Sequence, residues 1–430
     1  MHLFQKYVDD TEASQQVFHS TPIGPDSPGS ILKDCEIILR EVGTKGLTSS
    51  SRNGSLPNKL LPDLNERMAD PIEIDLKRAS LMNYPNILGV FLLLRTLQII
   101  ETNGKSVYVD TTALEAWHSL SPTEQYFTLF ETWLWHTDPK LLDQRLENSM
   151  GRLPLSCTHL QFLNELPKAK WKTYPDWVHT RSFHDCIPDW SAQLLKRFGV
   201  IEIEATSGKN PSSDLSRRGW RLLKARLTQW GRALNGALLK YFQAQGPINL
   251  FDYTDAPADF GVLQPTLSAW IPAYQKTWRV RTIEAVPGSY VFEFKPDPKS
   301  GDAPFRRVIR INGTATLDDL VDACLTSIAF DDDHLYRITY RSANSGTQEL
   351  FGGGWGEWEE DEPMAHEVEI KSADLKPKQT LSLLYDFGDD WRFDLKLLRI
   401  EPVDDRLKRA EVIESEGTPP EQYPSWEDDA

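Results

Sequence analysis

Cysteine is scarce in this chain. Four occur in 430 residues, Cys35, Cys157, Cys186 and Cys324, and no two share the spacing of a thiolate zinc site or a redox pair. A disulfide framework is therefore excluded, and a reduced, cytoplasmic setting is expected. Long apolar runs are missing too. The nearest, Ile87 to Ile100, contains Arg95 and Gln98 and falls short of the ~20 apolar residues of a membrane span, so it reads as a buried helix and no membrane partner is expected. The opening residues Met1-His2-Leu3-Phe4-Gln5-Lys6 lack the apolar core of a signal peptide, which argues against export. Gly352-Gly353-Gly354 is followed by Trp355, not by the Lys-Ser/Thr of a phosphate-binding loop. No serine elbow occurs, and His118, His136, His159, His179 and His184 have no metal-ligand spacing. No cofactor and no resident metal are expected.

What the chain has is charge, unevenly placed. The formal net charge is −16, and residues 289–430 alone hold 16 Lys and Arg against 32 Asp and Glu. The remainder is balanced, but within it residues 151–245 carry 15 basic and 7 acidic groups. Net charge bears on partners, not on fold. A polyanion such as DNA or RNA is expected at the basic middle, and a protein partner at the acidic third.

Residues 1–70 read as weakly structured with one helix near Ile31 to Glu41, because Thr21–Ser30 and Thr44–Pro57 are rich in Pro, Gly and Ser. Residues 71–150 and 151–245 read as two helical units related by a repeat. Leu93-Leu94-Arg95-Thr96-Leu97-Gln98-Ile99-Ile100-Glu101 aligns without a gap on Leu194-Leu195-Lys196-Arg197-Phe198-Gly199-Val200-Ile201-Glu202. Each is a helix end running into a strand, then a turn, then a further helix with Trp117 or Trp220. The second copy is similar to the wing and closing helix of winged-helix regulators, with Asp214 or Ser216 as the cap. Residues 246–288 hold Pro247, Pro257, Pro265, Pro272, Trp270 and Trp278 and read as a packed connector, since Trp is costly to leave in water.

From Ser289 the period changes to two. Tyr290, Phe292 and Phe294 alternate with Val291 and Glu293, as in a half-buried strand. A second strand covers Arg306 to Ile311. Thr316 with Asp319 reads as a capping box that opens a helix with the apolar stripe Leu317, Leu320, Val321, Cys324, Leu325 and Ile328. A third strand covers Leu335 to Arg341. A hairpin of Leu381–Phe387 and Trp391–Leu397 turns through Gly388-Asp389-Asp390. The fold class is multidomain α+β, with a helical N-terminal half and a C-terminal α+β roll similar to a β-grasp over residues 289–430.

Three strings in this part, Thr316-Leu317-Asp318-Asp319-Leu320, Phe330-Asp331-Asp332-Asp333-His334-Leu335-Tyr336 and Leu384-Tyr385-Asp386-Phe387-Gly388-Asp389-Asp390-Trp391, resemble the plasmid pRiA4b ORF-3-like family. This is also called the insertion-element passenger TnpR family. The motif residues carried by the resemblance are Asp332, His334, Tyr385, Asp386, Phe387, Gly388, Asp389 and Trp391. It covers about a third of the chain and implies a fold and a mobile-element context, with no established reaction. Many members place His two residues after the Trp, where Phe393 stands here. Many also have Cys before Pro-Pro-Glu, where Thr418 precedes Pro419-Pro420-Glu421.

Two chemistries remain open at these strings. Asp331, Asp333, Asp386 and Asp389 with His334 are a candidate set for a divalent metal such as Mg²⁺, or for acid–base work in a hydrolase or nuclease. The same residues around Gly388 are also ordinary turn chemistry, with Gly388 expected at positive φ. Glu357 to Glu362 reads as a solvated acidic loop or a contact for a basic partner. For nucleic acid the candidates are Arg217, Arg218, Arg221, Lys224 and Arg226, placed on one helix whose phosphate contacts would supply salt-dependent affinity. The favoured reading is a nonenzymatic accessory or regulatory protein that binds nucleic acid through the middle and a protein through the acidic domain. The alternatives are a metal-dependent hydrolase or nuclease and a purely protein-binding scaffold.

Overall fold

The computed structural model describes residues 11–50, 54–74, 76, 78–102, 105–137, 141–142, 162–163, 165–167, 170–173, 187–206, 220–244, 259–279, 285–298, 300, 303–342, 346–353 and 363–423. The chain forms two compact units, residues 1–281 and 282–430, each with its own core.

In the first unit the sequence alternates helices with very short strands. Helices α1 (Thr11–Ser20), α2 (Ile31–Val42) and α3 (Leu61–Arg67) occupy the segment expected to be weakly structured. Phe18, Ile31, Cys35, Ile38, Leu61 and Leu64 of these helices are buried in the core. Apolar content at helical spacing outweighed the turn residues around it. Helix α4 (Pro85–Thr96) is buried from Pro85 to Arg95, with Pro85 at its first position. A helix apolar on every side belongs at the centre of a core. Strands β2 (Ile100–Thr102) and β3 (Ser106–Val109) follow, and β3 also pairs with β1 (Leu47–Thr48). Helix α5 (Thr111–His118) is capped by Asp110. Helix α6 (Pro122–Glu131) is capped by a Ser121/Glu124 box.

The repeat is visible in the backbone. Helix α7 (Asp189–Arg197) runs into β5 (Ile201–Thr206), which pairs with β6 (Arg221–Leu227). Strand β4 (Lys172–Thr173) pairs with β6 on its other side. The two sheets thus share one order, β1-β3-β2 and β4-β6-β5. The helix ends match bond for bond. Ile99 N–H donates to Leu94 C=O at 3.1 Å and Gln98 N–H to Arg95 C=O at 3.1 Å; Val200 to Leu195 and Gly199 to Lys196 do the same at 2.9 Å. This is a Schellman ending, with Gln98 (φ 58°) and Gly199 (φ 71°) in the left-handed position.

Helices α4 and α7 pack on each other. A Cβ on Gly89 would lie 2.8 Å from Leu194 Cγ and from the Trp190 carbonyl, so only glycine permits this crossing. The end of α7 is tied to α2 by a buried ion pair, Arg197 Nε to Asp34 Oδ2 at 3.0 Å, with neither side chain more than 1% exposed. Its geometry at Nε falls short of a hydrogen bond, so the contact is Coulombic. Arg197 also donates to Gln193 and to the Asp70 carbonyl, and Asp34 accepts from Ala69 N–H and the Ser30 hydroxyl. Helix α8 (Gln229–Ala244) follows β6. Residues 259–279 then run along the core, with Leu263, Leu267, Ile271 and Tyr274 buried. Glu131 holds them by accepting from Gly261 N–H, Leu263 N–H and the Tyr274 hydroxyl; Glu124 accepts from Lys276 N–H at 2.6 Å.

One placement differs from expectation. Arg221, Lys224 and Arg226 lie on strand β6, not on a helix, and Trp220 stands just before it. The alternation of Lys224 and Arg226 with buried Ala225 and Leu227 is a period of two, and the closing helix begins only at Gln229. Arg217, Arg218, Asp214 and Ser216 lie outside the described residues.

The second unit is a seven-stranded sheet, antiparallel throughout, in the order β10-β9-β11-β12-β7-β8-β13. Its strands are β7 (Ser289–Pro296), β8 (Arg306–Asn312), β9 (Tyr336–Ser342), β10 (Gly346–Gly352), β11 (Thr380–Tyr385), β12 (Trp391–Glu401) and β13 (Glu411–Glu416). Helix α9 (Leu317–Thr326) lays Leu317, Leu320, Val321, Cys324 and Leu325 on one sheet face, against a core that includes Phe292, Phe294, Ile338, Leu383 and Phe393. Its reciprocal box is formed by Asp319 N–H to Thr316 Oγ1 at 3.1 Å and Thr316 N–H to Asp319 Oδ2 at 2.7 Å. Among the described residues no helix is long and apolar enough to cross a membrane.

Removing one member of a buried pair leaves the other charge uncompensated. Arg197→Met should cost about 3–5 kcal/mol in denaturant unfolding followed by tryptophan fluorescence. Adding Asp34→Asn, which keeps the acceptor for Ala69, should return part of the loss.

Candidate functional site

Pairing of β9 with β11 brings two of the sequence strings side by side, with Tyr336 opposite Tyr385. Asp386 N–H donates to the Leu335 carbonyl at 3.0 Å, and the Tyr385 hydroxyl donates to the Asp331 carbonyl. The chain's last described residues come to the same place. Gln422, 8% exposed, accepts from Asp331 N–H at 2.6 Å and donates to the Tyr423 hydroxyl at 3.1 Å. Three segments far apart in sequence thus meet at one end of the sheet.

The centre of this meeting is His334. Its Nε2 lies 3.0 Å from the Tyr423 hydroxyl and 3.6 Å from both Asp333 Oδ1 and Asp386 Oδ2. Asp386 is left-handed (φ 53°), and its Oδ1 accepts from Gly388 N–H at 2.9 Å and Asp389 N–H at 3.4 Å. That is an Asx turn. Asp390 is also left-handed (φ 58°) and pairs with Arg392 at 2.8 Å. Gly388 is not at positive φ, contrary to expectation, because the two aspartates take the left-handed positions that Asp tolerates. Phe387 is exposed, and Trp391 packs edge-on to Phe330 at 5.1 Å.

Of the carboxylates weighed as a metal or acid–base set, Asp333 and Asp386 flank His334. Asp331 contributes its backbone, and Asp389 a backbone N–H to the turn. Among the described residues no group of three or more His, Cys, Asp or Glu is placed to hold a metal ion. Phe393 lies in the core against Phe294 and Phe330, while Thr418 is exposed.

A neighbouring network escaped sequence reading. The Tyr336 hydroxyl donates to Asp318. Gly352 and Gly353 border Tyr336: a Cβ on Gly352 would meet its hydroxyl at 2.4 Å, and one on Gly353 would meet the His334 carbonyl at 2.4 Å. These two glycines make room for a tyrosine. Asp322, on α9, is pushed up to about 6 by partial burial of its carboxyl and by the charges of Asp318, Asp332 and Asp319. Gln422 and Tyr423 were also missed; the one signal for them was the Pro419-Pro420-Glu421 run just ahead.

In the first unit, Lys224 Nζ pairs with Glu204 at 2.7 Å and Arg226 Nε with Glu202 at 3.0 Å. The Arg226 guanidinium lies 4.5 Å from the Trp171 ring centre. A cleft of about 570 Å³ beside them is lined by Pro28, Trp171, Lys196, Ile201, Ile203 and Trp230 among others, and Lys196 is bonded to Asp70.

The residues gathered around His334 and Tyr385 all fall in a segment with recognisable kin. Residues 293–425 match the family model for plasmid pRiA4b ORF-3-like protein. The match spans the sheet from within β7 to the Gln422-Tyr423 tail, so every residue of the His334 meeting point lies inside the matched segment. Among solved structures, a protein of unknown function from Methanosarcina mazei Go1 matches at 17% identity with a TM-score of 0.26, over 30% of this chain and 70% of its own. That likeness carries no functional argument. No curated protein matches the chain.

Two measurements probe this pRiA4b-like unit. Asp386→Asn keeps both the acceptor and the tolerance of left-handed backbone, and should change unfolding free energy by less than about 0.5 kcal/mol. Asp386→Val, which loses both, should cost about 2–3 kcal/mol. For Asp322 the folded-state value stands above the unfolded one, so its charge opposes folding at pH 7 and this penalty fades as pH falls through about 6. Asp322→Asn should therefore raise the melting temperature at pH 7 and match wild type near pH 4.

Proposed function

We propose that this chain is a nonenzymatic accessory protein of mobile-element type that acts by binding, with its acidic pRiA4b-like unit engaging a basic protein partner. The observation that carries the reading is how the motif residues are occupied. Asp386 caps its own turn, Tyr385 and Gln422 join segments of backbone, and His334 sits between two carboxylates and a phenol. No group of three or more His, Cys, Asp or Glu is placed to hold a metal ion among the described residues, while 32 carboxylates outnumber 16 cations in residues 289–430. The family's naming after a plasmid reading frame supports the accessory context.

The first unit reads as a tandem of winged-helix-like modules, supported by the matching helix–strand–strand order and by one strand order in both sheets. The helices that lead into the strands of each copy, α4 and α7, are packed on each other. With Lys224 and Arg226 engaged by Glu204 and Glu202, nucleic-acid binding rests on Arg217, Arg218 and the basic balance of residues 151–245. It is the weaker of the two partner readings.

The test is a comparison of ligands on the full chain. Immobilised protein should retain poly-lysine with an affinity that falls as salt rises, and should hydrolyse neither duplex DNA nor a phosphate diester in Mg²⁺. Retention of DNA or RNA without poly-lysine, or Mg²⁺-dependent hydrolysis, would overturn the proposal.

A further inference from the structure

Strand β13 is the outermost strand of the second sheet, and packing does not explain it. All six of its residues are exposed, including Val412 at 47% and Ile413 at 41%. Its support is one pairing with β8, interrupted by a bulge between Val412 and Glu414. The register sets Glu411 opposite Arg310 and Glu416 opposite Arg306, with Val412 opposite the core residue Ile309. Strand residues alternate between faces, so the glutamates share the arginine face and Val412 lies on the other.

The arginine face is a network of ion pairs whose outermost carboxylates are open to solvent. Arg306 is within 3.2 Å of Glu293, Glu414 and Glu416. Arg310 is within 3.9 Å of Glu401, Asp404 and Glu411. Arg399 pairs with Glu401 and Lys295 lies 3.8 Å from Glu293, while Lys396 opposite Glu293 and Arg406 beside Asp404 add two further cations to the network. The three glutamates of β13 remain more than half exposed.

The opposite edge of the sheet is treated differently. There Phe351 N–H donates to the Pro363 carbonyl at 3.0 Å, and Phe351 bridges Met364, so a later segment covers β10. Among the described residues nothing pairs with the outer side of β13. This edge carries a bulge and charged side chains, two of the devices that blunt exposed edges, yet it also shows two large apolar residues, Val412 and Ile413.

We infer that β13 is a docking edge for an extended segment of a partner protein in which Lys or Arg alternates with apolar residues. This deepens the basic-partner reading above and rests on it. An added strand would meet Glu411, Glu414 and Glu416 with every second side chain and Val412 with those between, while the free backbone groups complete the ladder. A second copy of this chain is the poorer occupant, because β13 against itself sets glutamates against glutamates on one face.

The experiment uses the full chain and two fluorescent peptides of equal composition, one with Lys and Val alternating singly, the other with them in pairs. By anisotropy the alternating peptide should bind at least about tenfold tighter, a difference of about 1.4 kcal/mol. The variant V412K/I413K changes only exposed side chains and should lose that advantage while keeping its circular dichroism and melting temperature. Equal binding of the two peptides, or an unchanged advantage in the variant, overturns the edge while leaving a charge-only basic partner standing. Failure of both peptides with retention of poly-lysine does the same. Failure of peptides and poly-lysine together overturns both readings, and reversible dimerisation lost in V412K/I413K would assign the edge to a second copy instead.

Discussion

Arg306 and Arg310 hold the far end of the C-terminal sheet. Strand β13 brings no buried residue of its own, so its attachment rests on the β8 ladder and on two guanidiniums bridging its glutamates to Glu293, Glu401 and Asp404. The bond from Arg306 holds Glu293 below the usual carboxylate range. A guanidinium offers several donors in a rigid fork and suits this bridging better than an ammonium would. Exposed ion pairs are each weak. The edge is therefore placed in register by its ladder yet open in chemistry, and its exposed glutamates define what it attracts.

The first unit solves the opposite problem. Three of its charged side chains are turned inward, Arg197 and Asp34 buried together at the end of α7 and Glu131 buried under residues 261–274. Burying polar groups is tolerable only when they are paired or hydrogen-bonded, and both sites meet that condition. The result is that the repeat closes on itself. Gly89 lets α4 and α7 cross at contact distance, so the corresponding helices of the two copies are each other's packing partners.

Much of this was legible from spacing. The helix ends of the repeat, the capping box at Thr316 and the hairpin at Gly388 all carry local signals: a shared pattern, a reciprocal polar pair, a Gly/Asp turn. What was not legible depended on distant partners. Whether Arg221 to Arg226 formed helix or strand turned on Glu202 and Glu204, about twenty residues earlier, which pair with Arg226 and Lys224 across the sheet. Helices α1 and α3 were hidden because Pro, Gly and Ser dominate the stretches beside them, whereas α2 falls where a helix near Ile31 to Glu41 was expected. β13 was hidden because Glu-Val-Ile-Glu-Ser-Glu lacks the apolar alternation of a half-buried strand. At the candidate site the Asp strings were evident, but not that Gln422 and Tyr423 complete them.

The strongest motif in the chain is consequently the least free to act. Tyr385, Asp386 and His334 each make contacts that join two or three segments, and a side chain committed to holding backbone offers little to a substrate. The turn and the junction admit few alternatives at Tyr385 and Asp386, which is enough to make the string recognisable in sequence. A binding edge has the reverse character: β13 needs only extended backbone and alternating side chains, a requirement many sequences satisfy and no short string announces. In this unit the legible residues build the frame, and the surface with free valences is found only by asking which polar and apolar groups the frame leaves unpartnered.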